Sequence, residues 1–479
     1  MPQNSQHSAP QAAARRPSFL DYGGANSLNN FASSLQRALM YLEVTLPETA
    51  AAIDNISPCT SRASSEIRDI ELGLLCPDNG MGRSTAPQTV FNAINTLMGI
   101  AMLSLPFGLR LSGWVPGVMI LGLCACITSK TAKVLGSVLR KHRHVHSYAD
   151  IAYLYGGSKF LAFATGAFVL DLMGALLSLV LIFSDSFATL LPNANRSSLK
   201  LAITGVTLVF SFLPLSLVSV ISLVGIVCTV GIFATIVFCG LIASGLPVSL
   251  LYPAHTSLWP SSGTDLLLSL GIFMAPWGGH PVFPELYRDM RHPSKYNKSC
   301  TAAFLATILL NLLIATAGYV MFGDAAEDSV TKNIIAQAEY PGWVRTVICV
   351  ILGVLPACKL ALVTRPVISV YESQLSLTNK NTATPLEPAK LTLRQCLARV
   401  VFMAFLFTLS IAFTSFGNVV AFLGSAICFT ICVTLPLLFH LKLNADELTP
   451  FLTVATKAGV AVGILGAILG TYGSLVSKP

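Results

Sequence analysis

Two stretches of the chain combine glycine, proline and polar residues within apolar surroundings, and they are the first candidates for chemistry. Residues 92–106, NAINTLMGIAMLSLP, hold Asn95, Thr96, one glycine and one proline. Residues 271–285, GIFMAPWGGHPVFPE, hold three glycines and three prolines. Because proline removes a backbone donor and clashes with the preceding turn, neither stretch should form a continuous helix. The unpaired N–H groups of a broken helix suit a carboxylate, and its unpaired carbonyls suit an ammonium.

Ionisable residues inside apolar stretches form a second set of candidates, because such residues in a membrane are functional by default. Asp171 lies in FVLDLMG and is either a carboxylate that exchanges protons or an anchor for a hydrogen bond between helices. Lys359 is expected to pair with an acid or with backbone carbonyls. His280 and Glu285 belong to the second stretch, where a histidine suits proton coupling and helix capping equally well. Asp171, His280 and Glu285 are therefore the candidates for proton coupling.

The composition around these residues is that of a multi-span membrane protein. Of 479 residues, 53% are apolar and 11% are charged, whereas a soluble domain carries about 25% charged residues. This deficit excludes a soluble enzyme, a disordered protein and a nucleic-acid-binding protein. Most of the 12 cysteines lie in apolar runs, among them Cys428 and Cys432, and should act as small hydrophobes. The sequence has no HExxH motif or Walker loop, so we expect no metal, no cofactor and no enzymatic activity.

From residue 89 onward the chain is a succession of apolar stretches of about 20 residues, which is the length that a helix needs to cross a bilayer. Eleven are predicted, at 89–108, 114–136, 158–184, 199–214, 218–245, 264–286, 299–322, 343–371, 395–413, 416–440 and 455–476. The two broken stretches fall in the first and the sixth. This spacing is typical of two inverted five-helix repeats, spans 1–5 and 6–10, whose first helices are broken. The alternative is that the glycines and prolines only kink packed helices.

Residues 1–88 differ from the rest and are predicted to be a flexible cytosolic tail ahead of a membrane domain at 89–479. They are rich in Ser, Ala, Asn and Pro and contain no stretch that could span a bilayer. The first ten residues have neither a basic start nor an apolar core, so no cleavable signal peptide is expected.

Basic residues predict the orientation. With a cytosolic N-terminus, sixteen Lys and Arg residues flank the cytosolic side and six the opposite side, which places the C-terminus in a lumen. Asn195, in the sequon Asn195-Arg196-Ser197, then lies on the lumenal side as a glycosylation candidate.

Three segments together resemble the amino acid/auxin permease family. They are STAPQTVFNAIN at 84–95 with Gly99 and LSLPFG following, WGGHPVFPE at 277–285 running on to DMRHP, and AFLGSAICFT at 421–430. The likeness covers about residues 84–475 and is closest to fungal vacuolar neutral-amino-acid transporters, which are relatives of the vesicular inhibitory amino acid transporter. It implies an all-α fold of eleven transmembrane helices, like that of LeuT, with the eleventh helix outside the repeats.

The resemblance also implies a set of substrate-binding residues, carried over by position. They are Asn95, Thr96, Gly99, Ile100 and Ala101 in the first break, and Met274, Trp277 and Gly278 in the second. The family commonly has glycine where this chain has Ala101, so its substrate preference need not transfer unchanged.

The function implied by the resemblance is proton-coupled transport of neutral amino acids across the vacuolar or another acidic membrane. The direction is most often antiport into the lumen, driven by the proton gradient without a cofactor. Two alternatives stay open on the sequence: proton symport that exports amino acids from the lumen, and an amino-acid sensor that signals through its tail with little flux. The expected partners are amino acids, protons and the lipid bilayer. The sequence does not determine the oligomeric state.

Overall fold

The computed structural model describes residues 84–143, 145–191, 193–212, 215–242, 249–337, 340, 342–374 and 392–476. The predicted tail at 1–88 lies outside these ranges except for its last five residues, and its flexibility stays a prediction. The predicted domain boundary at residue 89 falls inside the first described helix, which begins at Ala86.

Helices make up nearly all of the described residues. They are α1 (Ala86–Leu97), α2 (Leu105–Ser112), α3 (Trp114–Lys141), α4 (Tyr148–Leu190), α5 (Arg196–Phe210), α6 (Leu215–Ile242), α7 (Gly263–Met274), α8 (Phe283–Asp289), α9 (Tyr296–Phe322), α10 (Val330–Ala336), α11 (Gly342–Gln374), α12 (Leu393–Ala412), α13 (Phe416–Phe422), α14 (Leu435–Leu443) and α15 (Pro450–Val476). A π-helix, Leu423–Thr434, connects α13 to α14, so that 416–443 is one helical run.

Eight helical runs in the described residues are long and apolar enough to cross a membrane. The bent pair Ala86–Leu97 and Ile100–Ser112 brings the number to nine if it forms one span. Helix α5 has 15 residues, and the apolar stretch Val227–Ile242 of α6 is also shorter than a span. The all-helical membrane fold is therefore confirmed, while the number of eleven spans stays a prediction.

Packing between the helices places both interrupted spans in the interior. Helix α9 packs along α1, α2 and α3, and α11 packs between α4 and α6. On the outside, α15 presents apolar side chains such as Ile468 to the surroundings, with 61% of that residue exposed. Its buried positions include Gly463, Gly470 and Gly473, which lie against the 416–443 run and α7. Small residues at the interface and large apolar residues outside are the pattern of a lipid-facing helix.

Candidate functional site

The first break separates α1 from α2. Helix α1 ends at Leu97, Gly99 is extended with φ −106° and ψ −177°, and Ile100–Ser104 forms a 3-10 turn. Pro106 stands in the first turn of α2, where its missing N–H breaks no helical hydrogen bond. The helical axes on the two sides differ in direction by 53°. The predicted break is confirmed, and its position follows from Gly99 and Pro106.

The first break offers backbone donors and acceptors at membrane depth. The first N–H groups of the turn that starts at Ile100 have no carbonyl partner within that turn. On the other side, the carbonyl of Met98 accepts a hydrogen bond from Lys359 Nζ at 3.4 Å, which confirms the expected pairing of Lys359 with a backbone carbonyl. A Cβ added at Gly99 would meet only the Ala101 nitrogen, at 4.0 Å, so there is open space at this point of the backbone.

The second break interrupts the run Gly263–Asp289. Helix α7 ends at Met274, and two 3-10 turns, Ala275–Trp277 and His280–Val282, precede α8. Each of the three prolines in this segment lies at the first or second position of its own helical piece. Proline is tolerated at these positions and not in a helix interior. The sequence thus divides this span into short pieces, as predicted.

The two breaks lie directly against each other. A Cβ added at Gly279 would lie 3.0 Å from Thr96 Cγ2 and 3.1 Å from Leu97 Cδ2. On its other side the second break meets the π-helix, because a Cβ at Gly278 would lie 3.0 Å from Cys428 Sγ. The predicted binding residues from two distant segments therefore share one region, and none of them carries a charge.

Side chains of the second break form the apolar wall of this region. Met274 and Trp277 are fully buried. The Trp277 ring is stacked on Phe304 of α9, with centroids 5.7 Å apart and planes 12° apart. The predicted residues Asn95, Ile100 and Ala101 are half-buried around the first break.

N-terminal to the second break, the backbones of α7 and the π-helix cross in direct contact. A Cβ on Gly271 would overlap the carbonyl of Ala421, and a Cβ on Gly424 would overlap the carbonyl of Gly271. Only glycine permits so close an approach at these two positions. This contact, which we call the glycine crossing, fixes the depth of α7 relative to the 416–443 run.

Asp171 and His280, two of the proton-coupling candidates, belong to one buried cluster. His280 Nε2 lies 2.8 Å from Thr131 Oγ1 and 3.1 Å from the carbonyl of Thr128. Cys432 lies beside His280 and Cys428, and Asp171 lies near both cysteines. We call Asp171, His280, Cys428 and Cys432 the His280 cluster. It joins α4, the second break and the π-helix.

Other predicted residues lie elsewhere. Glu285 is buried in the first turn of α8, a position that favours a carboxylate because helix N-termini are positive. Asn195 is exposed, and its side chain caps α5 by accepting a hydrogen bond from the N–H of Ser197 at 3.0 Å. Its glycosylation stays a prediction.

Sequence reasoning missed several polar residues near the breaks. Cys428 and Cys432 were expected to act only as small hydrophobes, but they lie in the His280 cluster beside a buried imidazole and a buried carboxyl. A thiol in an apolar run carries no local sign of such a partner. Asn311, in the middle of α9, was also missed, although a lone amide in an apolar span is a visible signal.

Two sets of contacts enclose the breaks from opposite ends. At one end, which we call the charged end, Lys332 Nζ of α10 lies 2.6 Å from Asp185 Oδ2 and 2.7 Å from Asp328 Oδ1. The backbone carbonyl of Asp328 accepts a hydrogen bond from Ser104 Oγ at 2.7 Å, and its carboxylate accepts one from Gly417 N at 3.2 Å. These contacts connect the α10 segment with α4, α13 and the turn after the first break.

At the other end, which we call the backbone end, Arg288 of α8 donates to three carbonyls in the last turn of α3 and the α3–α4 connection. The distances are 2.8 Å to Leu139, 2.7 Å to His142 and 2.7 Å to Val145. Ser84 N donates to the carbonyl of Asp289 at 2.8 Å, so the segment before α1 is also attached here.

A family model described as a transmembrane amino acid transporter protein matches residues 82–476. The chain belongs to this family. This amino acid transporter is similar to amino acid transporter AVT1H of Arabidopsis thaliana, with 27% identity over 89% of this chain and 96% of the relative. It is 26% identical to amino acid transporter AVT1E of the same plant, over 82% of this chain and 73% of the relative.

Two solved transporter structures are also similar to this amino acid transporter, each at a TM-score of 0.48 and 12% identity. One is Mhp1, a nucleobase-cation-symport-1 family transporter, with 84% of this chain and 93% of that chain covered. The other is a Na+-coupled sialic acid symporter in a substrate-bound outward-open state, with 87% and 97% covered. The family match identifies a membrane protein for amino acid transport and not an enzyme.

Proposed function

We propose that this protein exchanges protons for neutral amino acids across the membrane of the vacuole or another acidic organelle. Amino acids enter the lumen from the cytosol, and protons leave. The observation that carries the proposal is the contact between the two breaks at Gly279 and Thr96, inside a chain of the amino acid transporter family. Binding at paired breaks in two helices fits alternating access, because each helix can rearrange on one side of the site.

The chemistry of the breaks supports a neutral amino acid as substrate. A zwitterion needs donors for its carboxylate and acceptors for its ammonium, and the first break supplies both from the backbone. A charged side chain would need a fixed counter-charge, because burying an unpaired charge is costly. The predicted binding residues, Asn95 to Ala101 and Met274 to Gly278, include no charged side chain. The Lys359 ammonium at the first break already donates to the carbonyl of Met98.

The His280 cluster supports proton coupling. It lies at the second break, contains a carboxyl and an imidazole, and is in contact through Gly278 and Cys428 with the region that would hold the substrate. A proton that binds there would therefore change the charge next to the moving segment. The vacuolar location, the direction of transport and the cytosolic N-terminus are supported by the family resemblance and by the basic residues counted above.

The experiment is flux of labelled glutamine or leucine into proteoliposomes that hold the full chain, with the tail outside and the interior acid. Each pH unit supplies about 1.4 kcal/mol, so one-for-one electroneutral exchange should concentrate substrate roughly tenfold per unit. Accumulation that collapses with a protonophore supports antiport. Faster release from preloaded acidic vesicles would support the exporter instead, and binding without flux would support the sensor.

Asp171→Asn tests the cluster in the same assay. We expect pH-driven accumulation to fall at least tenfold while exchange of labelled for unlabelled substrate at equal pH continues. Asp265→Asn, in the first turn of α7 and away from the cluster, is the matched control and should accumulate normally. Unchanged pH-driven flux in a well-folded Asp171→Asn protein would show that this carboxyl is not the coupling group.

A further inference from the structure

One buried amide in α9 has no hydrogen-bond partner among the described residues. Asn311 is 1% exposed, and neither its Nδ2 nor its Oδ1 has a hydrogen-bond partner in the part of the chain that the structure describes. An asparagine amide provides two donors and one acceptor oxygen. Leaving a buried polar group unsatisfied costs about 1–3 kcal/mol. Leucine at this position of a membrane-spanning helix would avoid this cost. The presence of the amide therefore indicates that it binds a ligand.

The register of α9 places Asn311 at the level of the breaks. Residues seven apart in a helix lie on one face, about two turns from each other. Phe304, seven residues before Asn311, is stacked on Trp277 of the second break. Gly318, seven residues after it, packs directly against Pro106, which follows the first break.

The two contacts together fix the height of Asn311. Phe304 lies beside Trp277, and the adjacent Gly279 lies beside Thr96 at the end of α1. Gly318 lies beside Pro106, so α9 and the first span run in the same direction. Asn311, halfway between these contacts, is therefore level with Gly99.

We propose that Asn311 is a substrate-binding residue that selects neutral amino acids with a polar side chain, such as asparagine or glutamine. The backbone at the first break serves the α-carboxylate and α-ammonium, and the amide then remains for the side chain. Since an amide is uncharged and both donates and accepts, it complements a carboxamide or hydroxyl group. In the surrounding wall of Met274, Trp277 and Phe304, the indole N–H of Trp277 can donate a hydrogen bond, but none of the three side chains has an oxygen that could accept one. This inference rests on the proposed function, because it names the substrates within the neutral class.

The test compares asparagine with leucine, which have nearly the same shape and differ in polarity. Exchange of labelled for unlabelled substrate is measured in proteoliposomes at equal pH on both sides. Wild-type protein should prefer asparagine, and Asn311→Leu should lower the ratio of asparagine to leucine exchange at least tenfold. A site that hydrogen-bonds a substrate rejects the apolar analogue strongly, because its own polar group is then left unpaired.

Thr307→Val is the matched control. Thr307 lies one turn before Asn311 and is equally buried, but its hydroxyl already donates to the carbonyl of Ala303 at 2.9 Å. This variant should leave the substrate ratio unchanged. Asn311→Ser keeps a donor and an acceptor, and we expect an intermediate ratio, which provides a second reading if Asn311→Leu does not fold.

An unchanged ratio in folded Asn311→Leu, or an equal loss for both substrates, would overturn the inference. The second result would assign the amide to the α-groups or to packing. The assay needs no proton gradient, so a failure of proton coupling leaves it intact. If wild-type protein exchanges neither substrate, the proposed function fails. Selectivity is then read from the rise in melting temperature that asparagine and leucine each produce in wild-type protein and in Asn311→Leu.

Discussion

The charged end and the backbone end enclose the same pair of breaks by different means. At the charged end, one ammonium is shared by two carboxylates from different segments, and the exposed fractions of the side chains are 13% for Lys332, 6% for Asp185 and 16% for Asp328. At the backbone end, Arg288 donates to three carbonyls in the last turn of α3 and the α3–α4 connection. The partners of Arg288 are backbone carbonyls, whereas both partners of Lys332 are side-chain carboxylates.

This difference determines how each end responds to change. A carbonyl that loses Arg288 is a neutral acceptor near an end of the membrane domain, and water can replace the guanidinium. Two carboxylates that lose Lys332 are like charges left close together and buried, and the loss of one partner from a buried ion pair is costly. Loss of Lys332 should therefore cost more unfolding free energy than loss of Arg288.

The largest effect is expected for Lys332→Met. The variant leaves Asp185 and Asp328 without their shared cation, which should cost about 4 kcal/mol of unfolding free energy. Thermal and denaturant unfolding in detergent micelles measure the loss. Adding Asp185→Asn to Lys332→Met should recover part of it, since one of the two like charges is removed. Equal stability of wild type and Lys332→Met would show that the ion cluster contributes nothing.

A smaller loss is expected for Arg288→Gln at the backbone end. Hydrogen bonds from a charged donor contribute about 1.5–3 kcal/mol, and water can replace part of what is lost, so the unfolding free energy should fall by about 2 kcal/mol. Lys295→Gln is the control, because Lys295 is an exposed basic residue a few positions further along the chain. A loss as large as that of Lys332→Met would remove the distinction between the two ends.

Asp185→Asn and Asp328→Asn should have smaller effects still, about 1 kcal/mol each. Either substitution leaves Lys332 with one carboxylate, so a neutral pair remains. The same unfolding measurements, run side by side with Lys332→Met, compare them. If either variant is as unstable as Lys332→Met, the cluster does not share its cation as the distances indicate.

The smallest effect concerns pH. Burial alone would lower the pKa of Lys332, but the Asp328 and Asp185 carboxylates outweigh it and hold the pKa above its usual 10.5. A raised pKa means that the ammonium stabilises the fold fully below the unfolded value and loses this contribution as pH rises through the folded value. The stability difference between wild type and Lys332→Met should therefore be constant from about pH 7 to 9 and shrink only above about 10.5. A decline that begins near pH 8 would contradict this assignment.

What the sequence could predict depended on whether the cause was local. The breaks follow from Gly99, Pro106 and the prolines around Trp277, and residues of this kind act on their own turn. The contact between Gly279 and Thr96 agrees with the shared binding region that the resemblance implied. The family and the all-helical membrane fold were also recognisable from these segments.

Long-range register was not accessible to sequence reasoning. Nothing near Cys432 in the sequence shows that it lies beside His280, 152 positions earlier in the chain. Lys332 was counted only as a basic residue that bears on orientation, because its two carboxylates come from α4 and from the loop before α10. The number of spans and the orientation in the membrane stay predictions, since they depend on the bilayer and on short helices such as α5.

The glycine crossing constrains how the transporter can move. Because the backbones of Gly271 and Gly424 are in contact, α7 cannot slide along the π-helix without first separating from it. C-terminal to the crossing, the two 3-10 turns between Met274 and Phe283 are short and are separated by Gly278 and Gly279. Opening toward one side of the membrane can therefore take place by rotation of the part of this span after Met274, while α7 stays fixed at the crossing, which acts as the pivot. A methyl group at either glycine would displace the pivot and the geometry of both open states together.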